Sequence, residues 1–406
     1  MTGAQESVLL DGISELTTND ETNGGRVADA ALVIEGDRIA WVGAAGSAPA
    51  ADRKIAVGGR AVLPGWVDSH THMVFAGDRT AEFEARMAGQ PYSAGGINVT
   101  VKDTRSASDE DLEANITRLV AEARRSGTTT IETKTGYGLT VADEVRAAHV
   151  ACRHADAVTF LGAHVVPEDQ DPAGYLELVT GPMLDAVAPL VSAVDAFCET
   201  GAFDEAATRR ILETARERGL ARRLHGNQLG HGPGVRLAVE YEALSVDHLG
   251  FLTDDDIDAL ASSWASETRG TVATVLPACD LSTKMPLAPA RRLLDAGAVV
   301  AIASNCNPGT SFTTSMAFCV ATAVLQMGMS VREAIRAATL GGAIALGMHT
   351  DGWRDPRGVP QPAVGIVRAG ARADLQVLDA PSVTHLAYRP AVPLTRAVWK
   401  AGVREI

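Results

Sequence analysis

Residues 61–72 read AVLPGWVDSHTH, an apolar run of strand length that ends in a polar cluster carrying His70 and His72. Apolar runs of similar length recur at 127–133 (GTTTIET), 157–163 (AVTFLGA), 193–198 (AVDAFC), 221–225 (ARRLH), 243–247 (ALSVD), 271–277 (TVATVLP) and 298–304 (AVVAIAS). Between most of them lie helical patterns, at 108–126, 141–155, 204–219, 253–262, 287–296 and 330–346. In DEAATRRILETARERG (204–219), Ala207, Ile211, Leu212 and Ala215 share one face of a 3.6-residue period. Eight strands alternating with helices predict an α/β fold, a (β/α)8 TIM-like barrel over residues 61–359. The fifth strand is the least regular, since ARRLH carries two arginines.

The two ends of the chain are alike. SVLLDGISEL (7–16), ALVIEGDRIAWVGAA (31–45), GIVRAGARADLQVLD (365–379) and LTRAVWKAGVREI (394–406) are short runs broken by Gly and Asp. Such runs read as antiparallel strands. They predict a small β-sandwich domain formed from residues 1–60 plus 360–406.

The 406 residues include 36 Lys+Arg and 50 Asp+Glu, a formal charge of −14, with 46% hydrophobic and 21% charged side chains. That balance gives an ample core and argues against a nucleic-acid partner, which needs a basic face. No run approaches the roughly 18 to 20 apolar residues of a membrane helix. The start, MTGAQESVLLDG, lacks a basic segment followed by an apolar one, so a cytoplasmic location is expected. The cysteines Cys152, Cys198, Cys279, Cys306 and Cys319 are scattered without a CxxC pair and read as buried thiols or isolated site residues, not a disulfide framework.

In barrels of this kind the chemistry sits at the carboxyl ends of the strands. His70, His72, His164, His225, His231 and His248 all lie on or just past predicted strand ends. Side chains at i and i+2 of a strand face the same way, so His70 and His72 can reach one metal ion. His225, from a distant strand, would complete a three-imidazole set with open positions for water or substrate. Lys134 reads as an ion-paired lysine beneath the site, with a carbamylated bridge between two metals as the alternative. Asp247 is expected on the oppositely facing position beside His248, and His231 sits in a loop, QLGHGPG, able to approach the site. His149, His154, His349 and His385 read as structural.

LPGWVDSHTH, LHGNQ, VDHLG and IASNCNPGTS resemble the metal-dependent amidohydrolase superfamily. FAGDRTAEFEARMAG, AGGINVTVKDTR, IETKTGYGLT, TFLGAHVVPE and SNCNPGTS are similar, more narrowly, to its imidazolonepropionase family, from about residue 30 to 400. The resemblance implies one divalent metal, Zn or Fe, held by His70, His72, His225 and a fourth ligand from strand 8. It implies opening of 4-imidazolone-5-propanoate to N-formimino-L-glutamate in histidine degradation. By match of motif, Arg79, Tyr92, Tyr137 and His164 would contact the substrate, with Asn307, Gly309 and Thr310 lining the same pocket. The Arg79 fork suits the carboxylate arm, and backbone donors of NPGT suit polar ring atoms. A homodimer is the expected assembly.

Two positions depart from the family pattern. Asn305 stands where the family has an Asp ligand and proton acceptor, and Gln228 stands where many members have Glu. An amide oxygen can touch a metal but cannot take a proton. His248 becomes the expected base, with Gln228 and Asn305 completing the catalytic set. Two other readings share the residues: a relative acting on a thioxo-imidazolidinone bearing the same arm, and a binding protein that kept the fold.

Overall fold

The computed structural model describes residues 6–90, 96–265 and 269–406. The terminal strands are β1 Ser7–Thr17, β2 Arg26–Glu35, β3 Arg38–Ala44 and β4 Arg53–Pro64. Eight barrel strands follow: β5 Trp66–Asp68, β6 Thr128–Lys134, β7 Ala157–Ala163, β8 Ala193–Cys198, β9 Ala221–Gly226, β10 Ser245–His248, β11 Val272–Val275 and β12 Val300–Ile302. They pair in sequence order, and every pair is parallel. Helices such as Asp109–Arg125, Val141–His154 and Glu205–Glu217 connect them, so the alternation read from the sequence is the alternation of the fold. The last long helical pattern, 330–346, carries a π-turn over Ala337–Gly341 between two short α-helices.

The run 61–68 is not one barrel strand. Its first part belongs to β4, which ends at Pro64, and the barrel begins at Trp66. Gly65 between them passes so close to Thr129 that a Cβ there would lie 2.2 Å from the threonine methyl. A side chain at 65 would push the first barrel strand off its neighbour.

The barrel closes beyond the ends of β5 and β12. Asn305 N donates to His70 O at 2.9 Å, and His72 N donates to Cys306 O at 2.9 Å. Lower down, the Asp68 carboxylate accepts from Ser304 N at 2.9 Å and Ser304 Oγ at 2.5 Å. His70 and His72 therefore lie on an extended segment just past β5, not inside it. Their common orientation survives because that segment is hydrogen-bonded on both sides, Lys134 N also donating to Thr71 O at 2.8 Å.

Five further strands are β13 Trp353–Arg354, β14 Pro360–Gln361, β15 Leu375–Leu378, β16 Thr395–Lys400 and β17 Val403–Arg404. The two chain ends join in one seven-stranded sheet, β17-β16-β15-β4-β1-β2-β3, antiparallel except where β1 pairs with β4. A large apolar cluster including Leu10, Leu32, Ile34, Ile39, Leu375 and Trp399 packs within this unit, and a smaller one around Leu9, Ala31 and Val33 packs apart from it. Buried charges tie the sheet to the barrel: Arg372 pairs with Asp374 and donates to Thr130 Oγ1 at 2.8 Å, and Lys400 meets Asp156 at 2.8 Å.

Burial raises the Asp68 carboxyl to about 7, against the Ser304 hydrogen bonds that lower it. The folded chain then binds this proton more tightly than the unfolded chain. The associated stability is present below the unfolded value near 4 and is lost as pH rises through about 7. Relative to Asp68→Asn, the parent chain is expected to lose up to about 4 kcal/mol between pH 4 and pH 8, read from urea midpoints. Parallel curves for the two proteins would remove the ionisable burden from Asp68.

Candidate metal centre and active site

Three imidazoles meet at the mouth of the barrel, with ligand nitrogens within 4.8 Å of one another. Nε2 of His72 lies 3.2 Å from Nε2 of His70 and 3.4 Å from Nε2 of His225. The far nitrogens of two rings are held by carboxylates: His70 Nδ1 by Asp247 at 2.6 Å and His225 Nδ1 by Asp195 at 3.0 Å. A ring that donates Nδ1–H to a carboxylate presents an unprotonated Nε2. Burial, with neighbouring positive groups, holds the His70 and His72 rings well below the ordinary imidazole range, so they stay neutral. Lone pairs converging at this spacing repel unless a cation lies between them. Beside them, the buried Oδ1 of Asn305 has no hydrogen-bond partner. The donor set fits a divalent metal.

Beneath the imidazoles lies a layer of buried charge. Lys134 Nζ bridges Glu132 at 2.9 Å and Asp195 at 3.0 Å, which makes it the ion-paired lysine expected from the sequence. Arg223 donates to Asp247 at 3.1 Å and to Ser69 O at 2.7 Å. Burial would raise the Asp195 carboxyl, but His225 and Lys134 outweigh it and hold it far below the usual range. Against the same burial, Arg223 and Lys134 keep Asp247 low. Three carboxylates against two cationic side chains leave this layer favouring a cation above it.

Asp247 corrects a sequence expectation. It points inward, to His70, and not away from the site. His248, next along the chain, still reaches the pocket because its backbone turns to φ 88°, followed by Leu249 at φ 67°. Left-handed backbone at such residues is a strained exception to strand alternation. Asn305 and Asn227 adopt the same region, at φ 54° and 56°.

One pocket is lined by His72, Arg79, Tyr137, His164, His225, Gln228, His248, Asn305, Asn307 and Thr310, with Ile97 and Phe197 closing it. Gly309 lies in an adjoining groove with Arg79, Phe83, Met87 and Phe312. Tyr92 lies outside the described residues. His231 is exposed and meets Phe251, 6.0 Å away between ring centres, away from the pocket.

Local partners refine several roles. His164 Nδ1 is 2.9 Å from Gly136 O, so it carries the proton and leaves Nε2 as an acceptor; burial lowers this ring to about 4. Asn307 Oδ1 accepts from Gly309 N and Thr310 N, both at 2.8 Å, so the NPGT donors expected to hold ring atoms are already occupied. Asn307 thereby shapes the loop. The Arg79 fork is likewise engaged: Nε and Nη2 bond Glu82 at 2.8 and 2.7 Å, while Nη1 lies against Gly309. Gln228 Nε2 lies 3.9 Å and His248 Nδ1 4.0 Å from the buried Cys279 Sγ. Burial pushes that thiol up to about 12 and the neighbouring Asp280 carboxyl up to about 8.

Asp195, Glu132, Arg223 and Glu82 were not singled out by sequence reasoning. Signals existed: Asp195 and Glu132 are lone acids inside otherwise uncharged strand runs, and Glu82 stands three residues after Arg79 on a helix.

A parallel barrel with carboxylate-backed imidazoles at its carboxyl-terminal mouth defines a metal-dependent hydrolase of the barrel type. The sequence profile of the amidohydrolase family matches residues 61–403. An imidazolonepropionase of Saccharopolyspora erythraea is 63% identical over 398 residues, covering 98% of both chains. One from Arthrobacter sp. is 60% identical, covering 98% of this chain and 99% of its own. Among solved structures, an adenosine deaminase from Xanthomonas campestris with bound zinc shares the fold at a TM-score of 0.72 and 20% identity, over 98% of this chain and 92% of its own. Atrazine chlorohydrolase TrzN from Arthrobacter aurescens, complexed with zinc, does so at 0.69 and 17%, over 98% and 94%. The chain belongs to the amidohydrolase family and, within it, groups with the imidazolonepropionases.

Asp195→Asn weakens the partner of His225 and leaves Lys134 with one carboxylate. Metal affinity is expected to fall roughly 10- to 100-fold, measured by competition with a chromophoric chelator. Unchanged affinity would show that Asp195 does not tune the ligand.

Proposed function

We propose that this chain hydrolyses 4-imidazolone-5-propanoate to N-formimino-L-glutamate. The observation that carries the reading is a single pocket where carboxylate-backed imidazoles meet Arg79 and His164, in a chain 63% identical to an imidazolonepropionase. The reaction breaks the bond between the ring carbonyl carbon and its nitrogen. Water's oxygen ends in the new carboxylate, and a proton goes to the departing amidine nitrogen.

His70, His72 and His225, with the Asn305 amide oxygen beside them, would hold a divalent ion, whose chemistry would be to polarise the carbonyl and make water more acidic. Zinc or iron is the metal of this reading, supported by the bound zinc of structural neighbours. His248, which burial keeps neutral, accepts the proton and returns it to the departing nitrogen. His164 Nε2 accepts from the ring N–H, since its other nitrogen is committed to Gly136. Asn305 and Gln228 orient the reacting groups through their amides and take no proton. The Nη1 side of Arg79, fixed by Glu82, meets the propanoate, with Tyr137 as a wall and Tyr92 assigned by motif. Asn307, Gly309 and Thr310 hold the loop that seats Arg79. A cytoplasmic homodimer belongs to the same reading. Five unpaired cysteines support a reducing compartment, and exposed Phe83, Phe312 and Phe318 supply apolar surface for a second copy.

Zinc-loaded protein is expected to deplete imidazolonepropionate, followed by ultraviolet absorbance. Asn305→Asp, which restores a carboxylate at the closure of the barrel, is expected to raise kcat by about 10²-fold or more. Absence of turnover in both proteins, each holding one metal per chain, would overturn the reading.

A Cβ on Gly309 would lie 2.1 Å from Arg79 Nη1. Gly309→Ala is therefore expected to raise KM about tenfold or more while kcat changes little, because the carboxylate contact is made equally in ground and transition states. An unaltered KM would take Arg79 out of substrate binding.

A further inference from the structure

We propose that His248, Cys279 and Asp280 form a second cation site beside the three-imidazole centre, suited to thiophilic divalent ions such as zinc and cadmium. All three are buried, and their ligand atoms lie within 4.8 Å of one another. His248 ends β10, while Cys279 and Asp280 lie in the first turn of the helix Pro277–Thr283 that follows β11. The left-handed backbone of His248 turns its ring toward that helix, bringing Nδ1 to 4.0 Å from Sγ. Metal–sulfur bonds near 2.3 Å and metal–nitrogen bonds near 2.0 Å place tetrahedral ligand atoms about 3.3–3.8 Å apart. Closing on an ion thus needs small side-chain shifts and no movement of the strands. Binding the ion displaces the protons of the Cys279 thiol and the Asp280 carboxyl to solvent, and the resulting thiolate and carboxylate together balance a dication, which a buried site requires. The Gln228 amide, 3.9 Å from Sγ, offers its oxygen as a fourth, neutral ligand on rotation about its last bond.

The site has a functional consequence, which rests on the proposed hydrolysis. An imidazole coordinated through Nδ1 carries its proton on Nε2. His248 so bound has no lone pair to offer the pocket, so loading the second site inhibits turnover without displacing the first metal.

The test uses protein holding one zinc per chain, titrated with Cd²⁺ while total bound metal and thiolate-to-cadmium ultraviolet absorption are recorded. The expected result is two metals per chain with a thiolate band. Cys279→Ser should keep one metal and lose both the band and the second equivalent. Asp280→Asn should keep the band but need at least tenfold more Cd²⁺, which guards against a folding defect in the cysteine variant. No band at saturation, or a band that persists in Cys279→Ser, overturns the site. With substrate, turnover should fall at least tenfold as the band grows. A full band without any turnover before cadmium is added would sink the hydrolysis reading and leave the cation site standing.

Discussion

Two buried chains of charge govern this molecule: Lys134 to Asp195 to His225, and Arg223 to Asp247 to His70. Each begins with a cation in the barrel interior and ends with an imidazole at its mouth. The carboxylate in the middle decides which ring nitrogen carries the proton, and so which nitrogen faces the pocket. None of these groups is tolerable alone in a dry core, where an unpaired ion costs several kcal/mol. As a connected set they are stable only with imidazoles above and cations below. The interior of the barrel is thus arranged around the requirements of the site.

Closure of the barrel and assembly of the site are the same event. The segment after β5 that carries His70 and His72 hydrogen-bonds the segment after β12 that carries Asn305 and Cys306. A strand slip there would both open the barrel and misplace three site residues. Short barrel strands at this seam, three residues each in β5 and β12, are compensated by hydrogen bonds that Ser304 N and Oγ donate to the Asp68 carboxylate. The terminal sheet braces the opposite end, since β4 runs into β5 with only Gly65 between them.

Apolar periodicity and the placement of histidines made the barrel and the imidazole set legible, because both depend on local spacing. Arg222 and Arg223 made the fifth strand look irregular, yet Arg223 sits two residues before His225 on the same inward face and supports Asp247. A charged residue in a parallel strand was here a sign of the site and not of a loop. What spacing could not reveal is where periodicity is broken: at Gly65, where the backbone passes close to the Thr129 side chain of the next barrel strand, and at His248, where the backbone turns to a left-handed φ. The engagement of Arg79 by Glu82 was equally hidden. Sequence shows that the two can pair across a helical turn, and only packing against Gly309 and Gly96 shows that the pair is built into the pocket wall.

The charge balance explains how an amide at position 305 changes the pocket without dissolving it. Three carboxylates and two cations lie beneath the imidazoles, and Arg79 is already paired with Glu82. A dication above this layer leaves one net positive charge when residue 305 is an amide and none when it is a carboxylate. The amide therefore strengthens the field that an anionic substrate meets, while taking away a proton acceptor. Attraction of that kind acts on the bound ground state as much as on the transition state, so it favours binding over turnover. In the proposed hydrolysis the burden of proton transfer moves to His248, the one imidazole of the mouth whose Nδ1 faces a thiol rather than a carboxylate or a carbonyl. The strained backbone at that residue places it against the pocket and against Cys279 at once, which links the proton transfer and the second cation site proposed for it.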